Sequence, residues 1–151
     1  MRKNTFKATP ISPGIAIGKC LLLEKQRLPV FRLDLEEDQI EAEIQRLQEA
    51  IVKSRTQLAT LKDQLSARLG QEHSYIMDVQ VMMLSDNLLV GNTTDIIRNE
   101  KVNAEWALND TASRLTVIFN NMKDDYLRER VSDVEDVINR VQANQIGRAH
   151  V

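Results

Sequence analysis

From Ile40 onward, apolar residues recur in alternating steps of four and three: Ile40, Ile44, Leu47, Ile51, Ser54, Leu58, Leu61, Leu65 and Arg68, seven of the nine being Ile or Leu. A strand repeats every two residues and cannot produce this pattern, whereas a helix lays such positions along one stripe. Asp34 is placed to cap the helix, with Glu37 three residues on able to reach back to the cap amide. Glu36, Glu37, Asp38, Glu41 and Glu43 crowd the first turns, while Lys53, Arg55, Lys62 and Arg68 follow, as the helix dipole favours. Gly70 is the natural stop. The spacing therefore predicts a helix of about 35 residues, longer than a typical globular helix and in need of partners along its seam.

Further helical segments supply those partners. One is expected from about Glu72 to Leu84, with Tyr75, Ile76, Val79, Met82 and Met83 on its apolar side. Asp86 can cap a short piece from Asn87 to about Asn99, weakened by Gly91. Asn103 opens a helix carrying Trp106, Ala107, Leu115, Ile118, Phe119 and Met122, and a last helix starts near Asp124, where Leu127, Val131, Val134, Ile138 and Val141 again step by four and three. The fold class expected is mainly α: an antiparallel bundle of about four helices, one kinked.

The first 33 residues read differently. All three prolines and two of the five glycines fall before residue 30. Ser12-Pro13-Gly14 breaks the chain, and the apolar run at 15–23 reads as a short strand. Residues 24–33 suit a linker. The expected organisation is thus 1–33 strands and linker, 34–145 helical bundle, and 146–151 tail.

Composition narrows the function. With 20 Lys+Arg against 22 Asp+Glu, the 151-residue chain carries a formal charge of −2, too little basic excess for phosphate-driven nucleic-acid binding. A single cysteine, Cys20, excludes a disulfide framework and a paired-cysteine zinc site. No apolar run of roughly 18 residues is present to span a membrane, and no apolar segment follows the basic opening as in a secretory signal. A cytoplasmic setting follows from these readings, in which the sequons at Asn92 and Asn109 carry no meaning. Neither His73 nor His150 sits in a nucleophile or metal pattern, so no catalytic or metal-ligating residue is expected. Ser12 to Gly18 lacks the Lys-Ser/Thr of a phosphate loop.

Two stretches hold more than a bundle needs. Met82-Met83 and Leu88-Leu89 are adjacent pairs, and both members of a pair cannot face inward on one helix. Either the surplus is ordinary core or it is an exposed docking surface of flexible apolar side chains. The run 126–136 is densely charged and reads as a solvated helix face, although an arginine such as Arg130 is also suited to meet a phosphoryl group bidentately.

Taken together these motifs resemble a known family. Ser12-Pro13-Gly14-Ile15-Ala16-Ile17-Gly18-Lys19 is similar to the N-terminal signature of enzyme I of the phosphoenolpyruvate:sugar phosphotransferase system. Asp125-Tyr126-Leu127-Arg128-Glu129-Arg130 with Asp133, Val134 and Asp136 resembles that family's second marker, and the stretch 76–86 resembles its helix-kink segment. The resemblance covers residues of about 8–145. It implies an inserted helical subdomain that binds the phosphocarrier HPr, preceded by one or two short strands left over from an α/β swivelling subdomain. It also implies a parent enzyme that autophosphorylates on a histidine from phosphoenolpyruvate, with magnesium in the full-length family.

On the same basis the phospho-accepting Thr-Ser-His stretch and the phosphoenolpyruvate-binding domain are not found in this chain, which is expected to dock the carrier and catalyse nothing, with no cofactor of its own. Carried over by position, the docking residues are Gln71, Glu72, Gln80, Met82, Met83, Asn87, Leu88, Leu89 and Arg130. Gln71, Asn87 and Leu88 stand where the family commonly has acids, and Gln80 where a histidine can occur. The expected partner is HPr or a specialised homologue, such as that of the nitrogen-related branch. Neither nucleic acid nor membrane is expected as a partner. An unpaired apolar strand at 15–23 can also pair with a second copy of the chain. The alternative is a coiled-coil helical-hairpin interaction module, which the seam from Ile40 to Leu65 alone also fits.

Overall fold

In the computed structural model, residues 7, 14, 15, 17–19, 29–70, 75–121 and 125–146 are described. Five α-helices follow one another: α1 (Ile40–Leu69), α2 (Tyr75–Met83), α3 (Asn87–Glu100), α4 (Ala104–Asn120) and α5 (Asp125–Ile146). They form an antiparallel bundle in which α2 and α3, parted by a three-residue turn, make the kinked member. The long helix α1 packs against all four others, and α4 packs between α3 and α5. Its seam is therefore covered on several sides, unlike that of an isolated hairpin. Among the described residues no strand occurs beyond an isolated bridge. The expected strand at 15–23 lies largely outside the described residues, as does strand pairing with a second copy; residues 15 and 17–19 carry no strand.

The seam of α1 is buried from Ile40 through Leu58. Beyond that point Leu61 is exposed and Leu65 half-buried, and an ion pair of 2.5 Å from Lys62 Nζ to Asp78 Oδ1 ties this part of α1 to α2. Ser54, the polar interruption in the seam, has a partner on α5. Asn144 Nδ2 donates to Ser54 Oγ (2.9 Å) and to Gln57 Oε1 (3.0 Å), and Gln57 Nε2 donates back to Asn144 Oδ1 (3.1 Å). An Asn144→Ala variant leaves the half-buried Gln57 carboxamide without this partner, and is expected to lose about 1–3 kcal/mol of unfolding free energy. Urea denaturation checks it, with the exposed Thr60→Ala as a control of small effect; equal losses would contradict the pairing.

The helix starts later than the acidic run suggests. Glu36, not Asp34, occupies the cap, in a capping box with Gln39, and a single 3-10 turn over Glu37–Gln39 leads into α1. The reason is a tertiary pairing. Residues 33–35 lie extended against 101–103: Leu35 N donates to Lys101 O at 2.7 Å, Asn103 N to Leu33 O at 3.0 Å, and Asp34 bridges Val102. Lys101 makes this pairing possible by closing α3 in the left-handed conformation (φ 51°), an uncommon choice for a residue other than Gly, Asn or Asp. Its ammonium also meets Glu37 Oε2 at 2.5 Å, and that hydrogen bond raises its pKa above the usual lysine value.

The same pairing diverts the expected cap of α4. Asn103 precedes that helix, but its Oδ1 accepts from Leu33 N at 2.9 Å and makes no cap bond. The first amide of α4, Ala104 N, instead donates to Glu43 Oε1 of α1 at 2.6 Å. Arg46 then grips two carboxylates at once. Its Nη1 and Nη2 donate to Glu105 at 2.6 Å each, and its Nε and Nη2 to Glu43 at 2.9 and 2.6 Å. Burial opposes charge on Arg46, yet these hydrogen bonds hold its pKa above the usual value. Burial likewise pushes the Glu105 carboxyl up, but Arg46 outweighs it and holds that pKa below the carboxylate norm.

Candidate functional site

The turn between α2 and α3 sorts the surplus apolar residues into inward and outward sets. Ser85 N and Asp86 N donate to Met82 O (2.9 Å) and Met83 O (3.2 Å), which ends α2. Asp86 then caps α3 as its sequence position suggests, its Oδ1 accepting from Leu88 N at 2.9 Å. With the chain kinked this tightly, Leu84 and Leu89 turn into the core. Met82 and Leu88 are left 71% and 58% exposed, and Met83 is half-buried. In each pair, then, one member is turned inward or partly so and the other stands in water.

Beside this rim lies an apolar pocket of about 140 Å³, lined by Met83, Asp86, Leu88, Leu89, Leu115, Phe119, Val134 and Val137. Four helices build it: α2 and α3 at their junction, the C-terminal half of α4, and the third and fourth turns of α5. The volume suits one aliphatic side chain, and Asp86 is the one ionisable residue in its wall. Larger hollows exist, of about 500 Å³ between α4 and α5 and about 910 Å³ beside α1. Their walls carry amides, hydroxyls and charges that water already satisfies, so they offer less gain on burial than the smaller apolar pocket.

The docking residues expected from position distribute as follows. Met83, Leu88 and Leu89 line the pocket, Met82 stands exposed at the end of α2, and Asn87 is exposed at the start of α3. Gln80 is buried, so it supports α2 from within rather than presenting itself to a partner. Gln71 and Glu72 lie outside the described residues, as do His73, His150 and Cys20. The backbone of Arg130 falls in α5 one turn before Val134 of the pocket wall. In sequence, Leu115, Phe119 and Val134 are marked only as apolar positions of their helices, and Val137 by no pattern. Their role as walls depends on how α4 and α5 end against the α2–α3 turn, which no local pattern encodes.

Among the described residues, no group of three or more His, Cys, Asp or Glu is gathered so as to hold a metal ion, and no helix is long and apolar enough to cross a membrane. The α2–α3 junction thus combines a small apolar pocket with an exposed apolar rim.

Comparison with known proteins follows the same lines. The family model described as PEP-utilising enzyme, N-terminal, matches residues 7–130. The chain is 38% identical over 132 residues to the phosphoenolpyruvate-protein phosphotransferase of Cupriavidus necator, covering 87% of this chain and 22% of that protein. It is 35% identical over 142 residues to the protein of the same name from Bacillus subtilis, covering 94% of this chain and 25% of that one. The chain therefore spans about a quarter of the length of these relatives. Among solved structures, a solution structure of Enzyme I (nEIt) superposes with a TM-score of 0.78 at 31% identity, over 90% of this chain and 55% of that one. The N-terminal domain of Enzyme 1 - Nitrogen shares the fold, with a TM-score of 0.71 at 21% identity over 78% of this chain and 48% of that one.

Proposed function

The chain belongs to the family of PEP-utilising enzymes, N-terminal, and on that premise we propose that its helical bundle docks the phosphocarrier HPr, or a specialised homologue, for phosphoryl transfer within a phosphoenolpyruvate-protein phosphotransferase. The observation that carries this reading is the exposed pair Met82 and Leu88 beside the apolar pocket. Two large apolar side chains kept in water at a helix junction represent burial energy that the monomer does not use, and a partner that covers them recovers it. Arg130, one turn from the pocket wall on α5, is the residue proposed to lie nearest the carrier's phosphoryl group, which a guanidinium binds through paired hydrogen bonds.

The side chains described at this face are proposed to seat the carrier and exclude water rather than to carry the phosphoryl chemistry. Magnesium, expected for the full-length family, finds no clustered ligand set among the described residues, and docking does not call on it. Since neither His73 nor His150 matches the family's Thr-Ser-His stretch, the chain is proposed to take up no phosphoryl group from phosphoenolpyruvate by itself. A cytoplasmic setting, where such a carrier would be met, belongs to the same proposal.

Asp86 is the one ionisable residue in the pocket wall, and Gln71, Asn87 and Leu88 stand where the family commonly has acids, so association is expected to depend weakly on salt, since rim charges mainly set on-rate and partner choice. Calorimetric titration of HPr into the chain is expected to give one-to-one binding, with an affinity that changes little between low and physiological ionic strength. No heat of binding at millimolar carrier would overturn the reading.

A further inference from the structure

Gly91 is the one glycine inside a helix among the described residues. Glycine weakens a helix interior relative to alanine, so its presence in α3 needs a reason. Close helix packing is not that reason. The three heavy atoms nearest a Cβ built at this position all belong to the side chain of Asn87; it would overlap Oδ1 and stand 2.7 Å from Cγ and 3.1 Å from Nδ2. Asn87 is exposed, while Leu89 and Thr93 are buried, so Asn87 and Gly91 lie on the outward side of α3. The glycine thus leaves room for one thing, a carboxamide folded back along the helix.

A helical Cβ tilts toward the helix N-terminus. A methyl group at 91 would therefore drive that carboxamide toward the Ser85–Asp86 turn, where Met82 and Leu88 are exposed and the pocket opens. We propose that Gly91 is a positioning residue for the docking face: by making room for the Asn87 side chain along α3, it keeps a polar group off the apolar rim against which the carrier seats. This role rests on the docking reading above. A carboxamide left at the rim would have to lose its water on docking without a fixed partner, which weakens binding.

The test compares the chain with Gly91→Ala, Asn87→Ala and the double variant, in two arms. The first needs no carrier. In the unaltered chain, nuclear Overhauser contacts are expected from the Asn87 carboxamide protons to Gly91 Hα; in Gly91→Ala they give way to contacts with Ser85 and Asp86. Absence of the Gly91 contact in the unaltered chain would overturn the proposal.

The second arm measures HPr affinity. Gly91→Ala is expected to raise Kd by about threefold to tenfold, and the same change on the Asn87→Ala background by less than about twofold, because the effect passes through Asn87. An equal loss on both backgrounds would overturn the positioning role and mark Gly91 as a backbone hinge instead. An unaltered chain that binds no HPr overturns the docking reading and Gly91's part in it. Intact Asn87–Gly91 contacts would then place the fault in that reading and not in the local geometry.

Discussion

Arg46→Ala is expected to lower the unfolding free energy by about 2–3 kcal/mol, the largest single loss of stability anticipated from any polar residue of the bundle. The side chains of Arg46, Glu43 and Glu105 are 27%, 13% and 14% exposed, so removing the guanidinium strands two carboxylates in partial burial. Glu43 also caps the first amide of α4, and its repulsion from Glu105 would loosen the junction of α1 with α4. The contrast is Arg98→Ala. Arg98 meets Glu41 at 3.2 Å with both side chains half exposed or more, and its loss is expected to cost under about 0.5 kcal/mol. Chemical denaturation of both variants checks the difference, and equal losses would contradict the account of the Arg46 junction.

The pH dependence has a definite sign. Folded Glu105 titrates below its ordinary value of 4.5. Its contribution is therefore in place above that value and is lost as pH falls through the lower, folded one. In Arg46→Ala the partly buried Glu105 carboxylate has no cation to favour its charged form, so its protonation relieves the variant. The stability gap between wild type and variant is thus expected to be widest near neutrality and to narrow below about pH 4.5. A gap that stayed constant down to pH 3 would show that Arg46 acts through packing alone.

Leu88→Asp is expected to leave stability within about 0.5 kcal/mol of wild type and to weaken HPr binding by about tenfold or more. The two effects separate because Leu88 is 58% exposed, so its removal opens no cavity in the monomer. At the mouth of an apolar pocket, however, an aspartate must be stripped of water when the carrier seats. Met82→Ala removes contact area without adding charge, and a smaller loss of about threefold is expected from it. Leu89→Ala would confuse the two effects, since Leu89 is both a pocket wall and 5% exposed core. Unchanged affinity in Leu88→Asp would remove the apolar rim from the docking face.

Periodicity and punctuation in the sequence specify the local elements well. The seam of α1, the stop at Gly70, the cap at Asp86 and the kinked α2–α3 pair all rest on patterns within a few residues of chain, and the structure has them. What the sequence conceals is what distant residues do to one another. Asp34 is a sound cap by local rules, but the pairing of 33–35 with 101–103 occupies it. Ser54 reads as a flaw in an apolar stripe until Asn144, 90 residues on, donates to it. Glu43 reads as a first-turn acid of α1, and it proves also to be the cap of α4, 61 residues away.

The candidate site divides in the same way. The excess of Met82, Met83, Leu88 and Leu89 over what one helix face can bury marks the region from sequence. Which of them face water depends on the turn at 84–86, and the pocket needs Leu115 and Phe119 from α4 with Val134 and Val137 from α5. The carrier proposed as partner comes from the family resemblance; the geometry contributes an exposed apolar rim beside a small apolar pocket.

Titration of unlabelled HPr into the 15N-labelled chain, followed by amide chemical shifts, bears on that place directly. Shifts are expected at 82–89, around Arg130 to Val134 and at Glu72, while the amides of the α4–α5 groove at Asn109, Ser113 and Asn139 stay unmoved. No shifts at millimolar carrier, or shifts confined to that groove, would contradict docking on the α2–α3 face.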